Sequence, residues 1–292
     1  MPIETINFSF ERQIRRPQPR KLIRDSDGDT LVIEQPIRLV SCDTPEKAGY
    51  AGIAATAQTK LDRCALRLSN GFFDAHLPKE LRLYLLAKIT SDAAERHINA
   101  GIQAGEEFNR ILESRLTLPG GGKRKVAIIP TGEVIDDYGR LLAYTAPYFN
   151  KNELPPRTSP ERRTFNLDMV ANGWAAFFPV YPSLPQNDDL NAIIAAAELA
   201  WVERKGAWDH FGENLLLGYE FRACIKLAAE PKVTDEITRF AEDCAKNAFQ
   251  RICIDLRTLQ VLEKYGFYSV PPCYRLWVWE ADIKQASIDL GL

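Results

Sequence analysis

Three short stretches of this chain carry the acidic, basic and cationic groups that cleavage of a phosphodiester requires. They are Asp27-Gly28-Asp29-Thr30, the run from Arg38 through Asp43 and Thr44 to Glu46, and Asp137-Tyr138-Gly139-Arg140. Carboxylates of Asp29 and Asp43 could share one hard cation, because such ions take oxygen ligands. Arg38 and Arg140 could clamp a phosphate with planar, permanently charged forks. Glu46 is left over as a base. A phosphodiester anion repels hydroxide and has a poor leaving group. A cation with two guanidiniums would neutralise the phosphoryl oxygens as the new bond forms. Each group also has a plainer reading. Asp29 fits a turn carboxylate, Asp43 an N-cap with Glu46 as its capping-box partner, and Arg140 a surface arginine. Arg38 lies on an apolar strand and needs an anionic partner there.

The elements that must position these groups are legible in part. Leu22-Ile23 and Thr30 to Ile33 read as strands around the Ser26-Asp27-Gly28 turn, and Ile37 to Val40 as a third strand that Pro45 ends. Residues 50–118 read as helices: Ala51 to Leu68, a segment opened by Pro78, and Asp92 to Leu116, which Gly120-Gly121-Gly122 breaks. Strand character returns at Val126 to Ile129 and at Val134-Ile135 and Leu141 to Tyr144, which flank the Tyr-Gly-Arg corner. Phe165 to Asn172 predicts a short helix closed by Gly173, and a further helix capped by Asp188 or Asp189 runs through Trp201 to a stop at Gly206. Beyond Phe211, Leu215 to Ala229 and Asp235 to Leu262 have helical spacing, while 275–290 fits a last helix or, at Arg275 to Trp279, a short strand.

Bulk properties narrow the class. The chain has 292 residues, 46% of them hydrophobic, which predicts packed cores. Thirty-seven Lys and Arg against 39 Asp and Glu give a net charge of −2, which argues against coating nucleic acid by global attraction but leaves room for a local basic cleft. The six cysteines form no CxxC pair and read by default as buried free thiols, with a disulfide among Cys224, Cys244, Cys253 and Cys273 as the alternative. Three histidines, none at ligand spacing from another, speak against a zinc site. With no apolar leader and no run long enough to span a bilayer, the expected location is cytoplasmic.

Within this element order the chain resembles the staphylococcal-nuclease (thermonuclease) family. The matching residues are DGDT at 27–30, R-x4-DTPE at 38–46, DYGRLLAY at 137–144, NLDMVANGWA at 166–175 and KGAW at 205–208. The resemblance implies an α+β fold built on a five-stranded OB-type β-barrel with packed helices over residues 19–210. A helical insertion at about 48–100 would interrupt that domain, an N-terminal arm would occupy 1–18, and a helical C-terminal extension would occupy 211–292. The implied activity is that of a Ca²⁺-dependent endonuclease, with another divalent cation possible, hydrolysing single-stranded DNA or RNA to 3′-phosphate and 5′-hydroxyl ends. Asp29, Asp43 and the backbone carbonyl of Thr44 would bind the metal, with Asp27 a further acidic position near it. Glu46 would orient or deprotonate the water. Arg38 and Arg140 would hold the scissile phosphate, and Tyr138 and Tyr181 would contact substrate.

The chain departs from the family at Asp137, where a basic residue is usual, and at Phe178 or Pro179, where a tyrosine is usual; Phe177, Phe178 and Tyr181 could still stack on bases. The insertion begins directly after Glu46 and could wall the cleft. Two other functions fit the same residues: a catalytically silent nucleic-acid-binding or scaffold module, and a phosphodiesterase whose cleft the insertion restricts. The 211–292 segment could serve a homo-oligomer or a protein partner.

Overall fold

Arg20 ties the start of the described chain to the Tyr-Gly-Arg corner, donating to the Gly139 carbonyl, which Gln35 Nε2 also reaches at 2.8 Å. The computed structural model describes residues 19–27 and 29–292; the arm expected over 1–18, Gly28, and the side chains of Asp25 and Asp27 lie outside that description. β1 (Leu22–Asp27) and β2 (Thr30–Ile33) form an antiparallel hairpin with Asp27 opposite Thr30. β3 (Ile37–Leu39) and β4 (Ser41–Asp43) follow, bent at Ser41, whose φ is 56°. Three helices follow, α1 (Ala54–Ser69), α2 (Lys79–Leu86) and α3 (Ala93–Leu116). A tight hairpin, β5 (Thr117–Leu118) and β6 (Gly122–Lys123), turns at the triple glycine. β7 (Val126–Ile135) and β8 (Leu141–Pro147) lead into α4 (Phe165–Ala171) and β9 (Ala176–Phe178).

α5 (Asn187–Val202) starts from Gln186, with Asp188 and Asp189 in its first turn rather than at the cap, where they still complement the helix dipole. α6 (Ala207–His210), α7 (Gly218–Leu227) and α8 (Ile237–Ala248) come next. The helix expected to continue to Leu262 stops at Ala248, and β10 (Arg251–Asp255) and β11 (Gln260–Val261) take its place. β12 (Arg275–Trp279) and α9 (Ile283–Leu290) then show that the last segment is a strand followed by a helix. The C-terminal region is therefore not wholly helical. β10 lies between β11 and β12, with Cys253 opposite Trp277. That pairing partner lies far along the chain, and so a local helical period at 251–255 lost to a long-range ladder.

The α+β class holds, but the described strands form five small sheets with no closed barrel among them. β3 runs parallel to β8, β8 antiparallel to β7, and β4 antiparallel to β9. Asn166, buried at the start of α4, holds the β3–β4 bend against β8: its Nδ2 donates to the Val40 carbonyl (2.8 Å), and its Oδ1 accepts from Thr145 N–H (3.0 Å). The NLDMVANGWA and KGAW stretches touch, since Ala207 N–H donates to the Gly173 carbonyl at 3.0 Å.

The largest core joins α1, α2 and the start of α3 to the chain after residue 211. Leu61, Leu68, Phe73, Leu81 and Leu85 pack in one cluster with Phe221, Cys224, Leu227, Phe249 and Trp277. Apolar faces at helical spacing on α1, α2 and α7 drive this, because each has nowhere else to bury its stripe. A second cluster unites α3, α4 and α5 through Ile111, Phe165, Met169 and Ile193. All six cysteines are free and buried. Among the described residues no helix is long and apolar enough to cross a membrane.

Candidate active site

Parallel pairing of β3 with β8 sets Arg38 opposite Leu142, and Arg140 immediately precedes β8. Both arginines therefore come to one end of the same strand pair, and both line a cavity of about 540 Å³. The loop after β4 adds Thr44, Glu46, Lys47 and Tyr50 to its wall, and α3 closes another side with Gly101, Ala104 and Gly105. Helix and loop meet closely. A Cβ at Gly101 would fall 2.6 Å from the Glu46 carbonyl oxygen and 2.8 Å from that of Pro45. α3 thus walls the cleft.

Glu46 is held at two points. Its backbone N–H donates to His97 Nε2 (2.8 Å), and its Oε1 accepts from Arg222 Nη1 (2.5 Å). No helix starts at Asp43, so the capping reading of Asp43 and Glu46 fails; the next helix begins at Ala54. His97 is fully buried on α3 and stacks on Phe221 at 3.9 Å. Because Nε2 accepts, the network assigns the proton to Nδ1, which donates to the Leu216 carbonyl at 2.9 Å. Burial pushes the imidazole down to about 4, against the pull of the Leu216 carbonyl and the nearby Asp43 charge.

Asp43 is 1% exposed. Its Oδ1 accepts from Arg38 Nη2 (2.9 Å) and its Oδ2 from Arg222 Nη2 (2.8 Å). Arg38 thus has the anionic partner its strand position demanded. Burial alone would raise the Asp43 carboxyl, but the Arg222 and Arg38 guanidiniums outweigh it and hold the group below the ordinary carboxylate range. Burial likewise acts to lower Arg222, and the charges of Asp43 and Glu46 lift it above its ordinary value instead.

Arg140 is oriented by Asp136. The Asp136 Oδ2 accepts from Arg140 Nε at 2.7 Å, and its Oδ1 accepts from the backbone N–H groups of Arg140 (2.9 Å) and Tyr138 (3.0 Å). One carboxylate therefore builds the corner and aims the guanidinium. The Tyr138 ring is 74% exposed, with the Arg140 guanidinium 5.2 Å from its centroid.

Other expected site residues lie elsewhere or face another partner. Asp29 is exposed at the hairpin and accepts from Thr30 Oγ1 at 3.1 Å. Asp27 ends β1, and its side chain lies outside the described residues. Tyr181 is buried and donates to Asp289, in a cluster with Ile254, Leu276 and Val278. Phe177 is core, and Phe178 packs against Tyr219 and Trp277.

The donor set around Asp43 and Thr44 does not fit a cradled divalent cation. Both Asp43 oxygens already accept from guanidiniums, and a Cβ at Gly218 would fall 2.6 Å from Asp43 Oδ2 and 2.7 Å from the Thr44 carbonyl oxygen. Among the described residues no group of three or more His, Cys, Asp or Glu is arranged to hold a metal ion.

Arg222, His97, Asp136 and Asn166 are the site's contributors that sequence reasoning missed. Gly218 and Arg222 are one helical turn apart and so share a face of α7, which was a readable signal. What that face would meet was not readable. The sequence matches no protein-family model and no curated protein.

Proposed function

We propose that the chain is a phosphodiesterase acting on nucleic acid, with Glu46 as general base and Arg38 and Arg140 as the phosphate clamp. The observation that carries this reading is that these three side chains line one cavity together with Lys47. A phosphate seated between the two guanidiniums would present its phosphorus to a water beside Glu46. Glu46 takes one proton as the water oxygen bonds to phosphorus. The ester P–O bond breaks, its electron pair leaves on the departing oxygen, and that oxygen takes a proton from solvent water to end as a hydroxyl, while Glu46 returns its proton to solvent. The arginines stabilise the charge that grows on the phosphoryl oxygens. The thermonuclease resemblance, including its OB-type barrel, belongs to this reading; the β3–β8 pair that sets Arg38 and Arg140 side by side supports it. The α3 wall favours a single strand or a chain end over a duplex.

End-labelled single-stranded DNA and RNA incubated with the purified chain test the proposal. Cleavage should fall by about two to three orders of magnitude in kcat for Arg38→Ala and for Arg140→Ala. Intact oligonucleotides after prolonged incubation, or a Glu46→Gln protein as active as wild type, would refute it.

A further inference from the structure

Arg222 reaches the site from α7, and the reaction above does not use it. Its Nη1 lies 2.5 Å from Glu46 Oε1 and its Nη2 2.8 Å from Asp43 Oδ2, so one guanidinium bridges two carboxylates. A divalent ion between two carboxylates does the same work: it collects oxygens from separate residues and cancels their repulsion. Here the charges of Asp43 and Glu46 are already balanced by those of Arg38 and Arg222. An added cation would face two guanidiniums. It would also find Gly218 packed against Asp43 Oδ2 and the Thr44 carbonyl, the very oxygens it would need.

We propose that Arg222 is the resident cation of this site, standing beside Asp43 in place of the divalent ion expected there and reaching on to Glu46, so that phosphodiester cleavage here does not need Ca²⁺. The inference rests on the phosphodiesterase reading for its reaction, though not for its claim about occupancy. Arg222 is a positioning residue: it keeps its proton throughout and holds Glu46 while the water proton still passes to Glu46.

Two measurements on the full chain test it: calorimetric titration with Ca²⁺, and cleavage of labelled single-stranded DNA in Ca²⁺ and in excess EDTA. The expected result is no Ca²⁺ binding tighter than about 1 mM, the weak end of protein calcium sites, and cleavage unchanged by EDTA. Arg222→Gln should lose about two to three orders of magnitude in kcat in EDTA with KM little altered. Added Ca²⁺ should not restore that rate, because Gly218 still covers Asp43 Oδ2 and the Thr44 carbonyl and Arg38 still holds Asp43 Oδ1; partial rescue by a cationic side chain at position 222 is what a merely structural arginine would not show. Arg222→Lys keeps the charge, should retain more activity in EDTA than the glutamine variant, and serves if that variant does not fold. One bound Ca²⁺ in the wild type that Asp43→Asn abolishes, cleavage that EDTA stops, or an Arg222→Gln protein fully active in EDTA would overturn the proposal. Cleavage under neither condition refutes the phosphodiesterase reading, and the Ca²⁺ titration alone then decides whether Arg222 fills the cation's place.

Discussion

Acidification should unlock the site through His97 before it titrates the buried carboxylates. The imidazole is fully buried, accepts from Glu46 N–H, donates to Leu216 and stacks on Phe221. Its native value is about 4 against an ordinary 6.5, so between those limits the unfolded chain binds a proton that the native chain refuses. Stability therefore rises with pH across that window: the full contribution is present above pH 6.5 and is lost as pH falls toward 4. A shift of this size corresponds to about 3 kcal/mol. The charges that face the ring are Asp43 and Glu220, which favour its protonation, and Arg222, which opposes it. Glu220 is lowered to about 2 and contributes chiefly below its ordinary 4.5, outside most of the His97 window. Urea denaturation at several pH values should show the wild type losing about 3 kcal/mol more than His97→Gln between pH 7 and 4, since glutamine keeps donor and acceptor without titrating. Parallel pH profiles for the two proteins would refute the assignment of His97 as a buried neutral acceptor.

Three further outcomes follow from the same geometry. Glu220 accepts from Lys88 (2.7 Å), Tyr84 (2.5 Å) and Arg275 (3.2 Å) in the interior, so Glu220→Gln should cost about 3–5 kcal/mol in chemical denaturation by leaving two buried cations without their anion; a loss near zero would contradict the buried network. Gly218→Ala should destabilise by about 1–3 kcal/mol, read from the denaturation midpoint, because its methyl would press on Asp43 and Thr44. Binding of single-stranded DNA to Glu46→Gln should weaken with salt at a slope of about −2 in log K against log salt, from about 0.7 for each of the three cations lining the cavity. A salt-independent affinity would place the nucleic acid elsewhere.

The Tyr-Gly-Arg corner was legible because its determinants are local. Strand patterning flanks it, and Asp136, Tyr138 and Arg140 close it through hydrogen bonds within a few residues. The hairpin of β1 and β2, the helices α1, α2 and α3, and α4 were read for the same reason: hydrophobic period, proline and glycine act over one or two turns of chain. The strand at 251–255 was not read, because its ladder partner is β12.

By itself, the sequence determined which groups are available: two arginines beside one glutamate, an aspartate that must find cationic partners once buried, and apolar faces that demand covering. Tertiary structure decided what those groups meet. α7 packs its Gly218–Arg222 face onto Asp43, Thr44 and Glu46, and that contact spans more than 170 positions of sequence. No local pattern encodes it. The arrangement arises because α1, α2 and α7 hide their apolar stripes in one core with α3, α8 and the C-terminal strands, and burying that core carries Arg222 to Glu46 and to Asp43, where a metal had been expected.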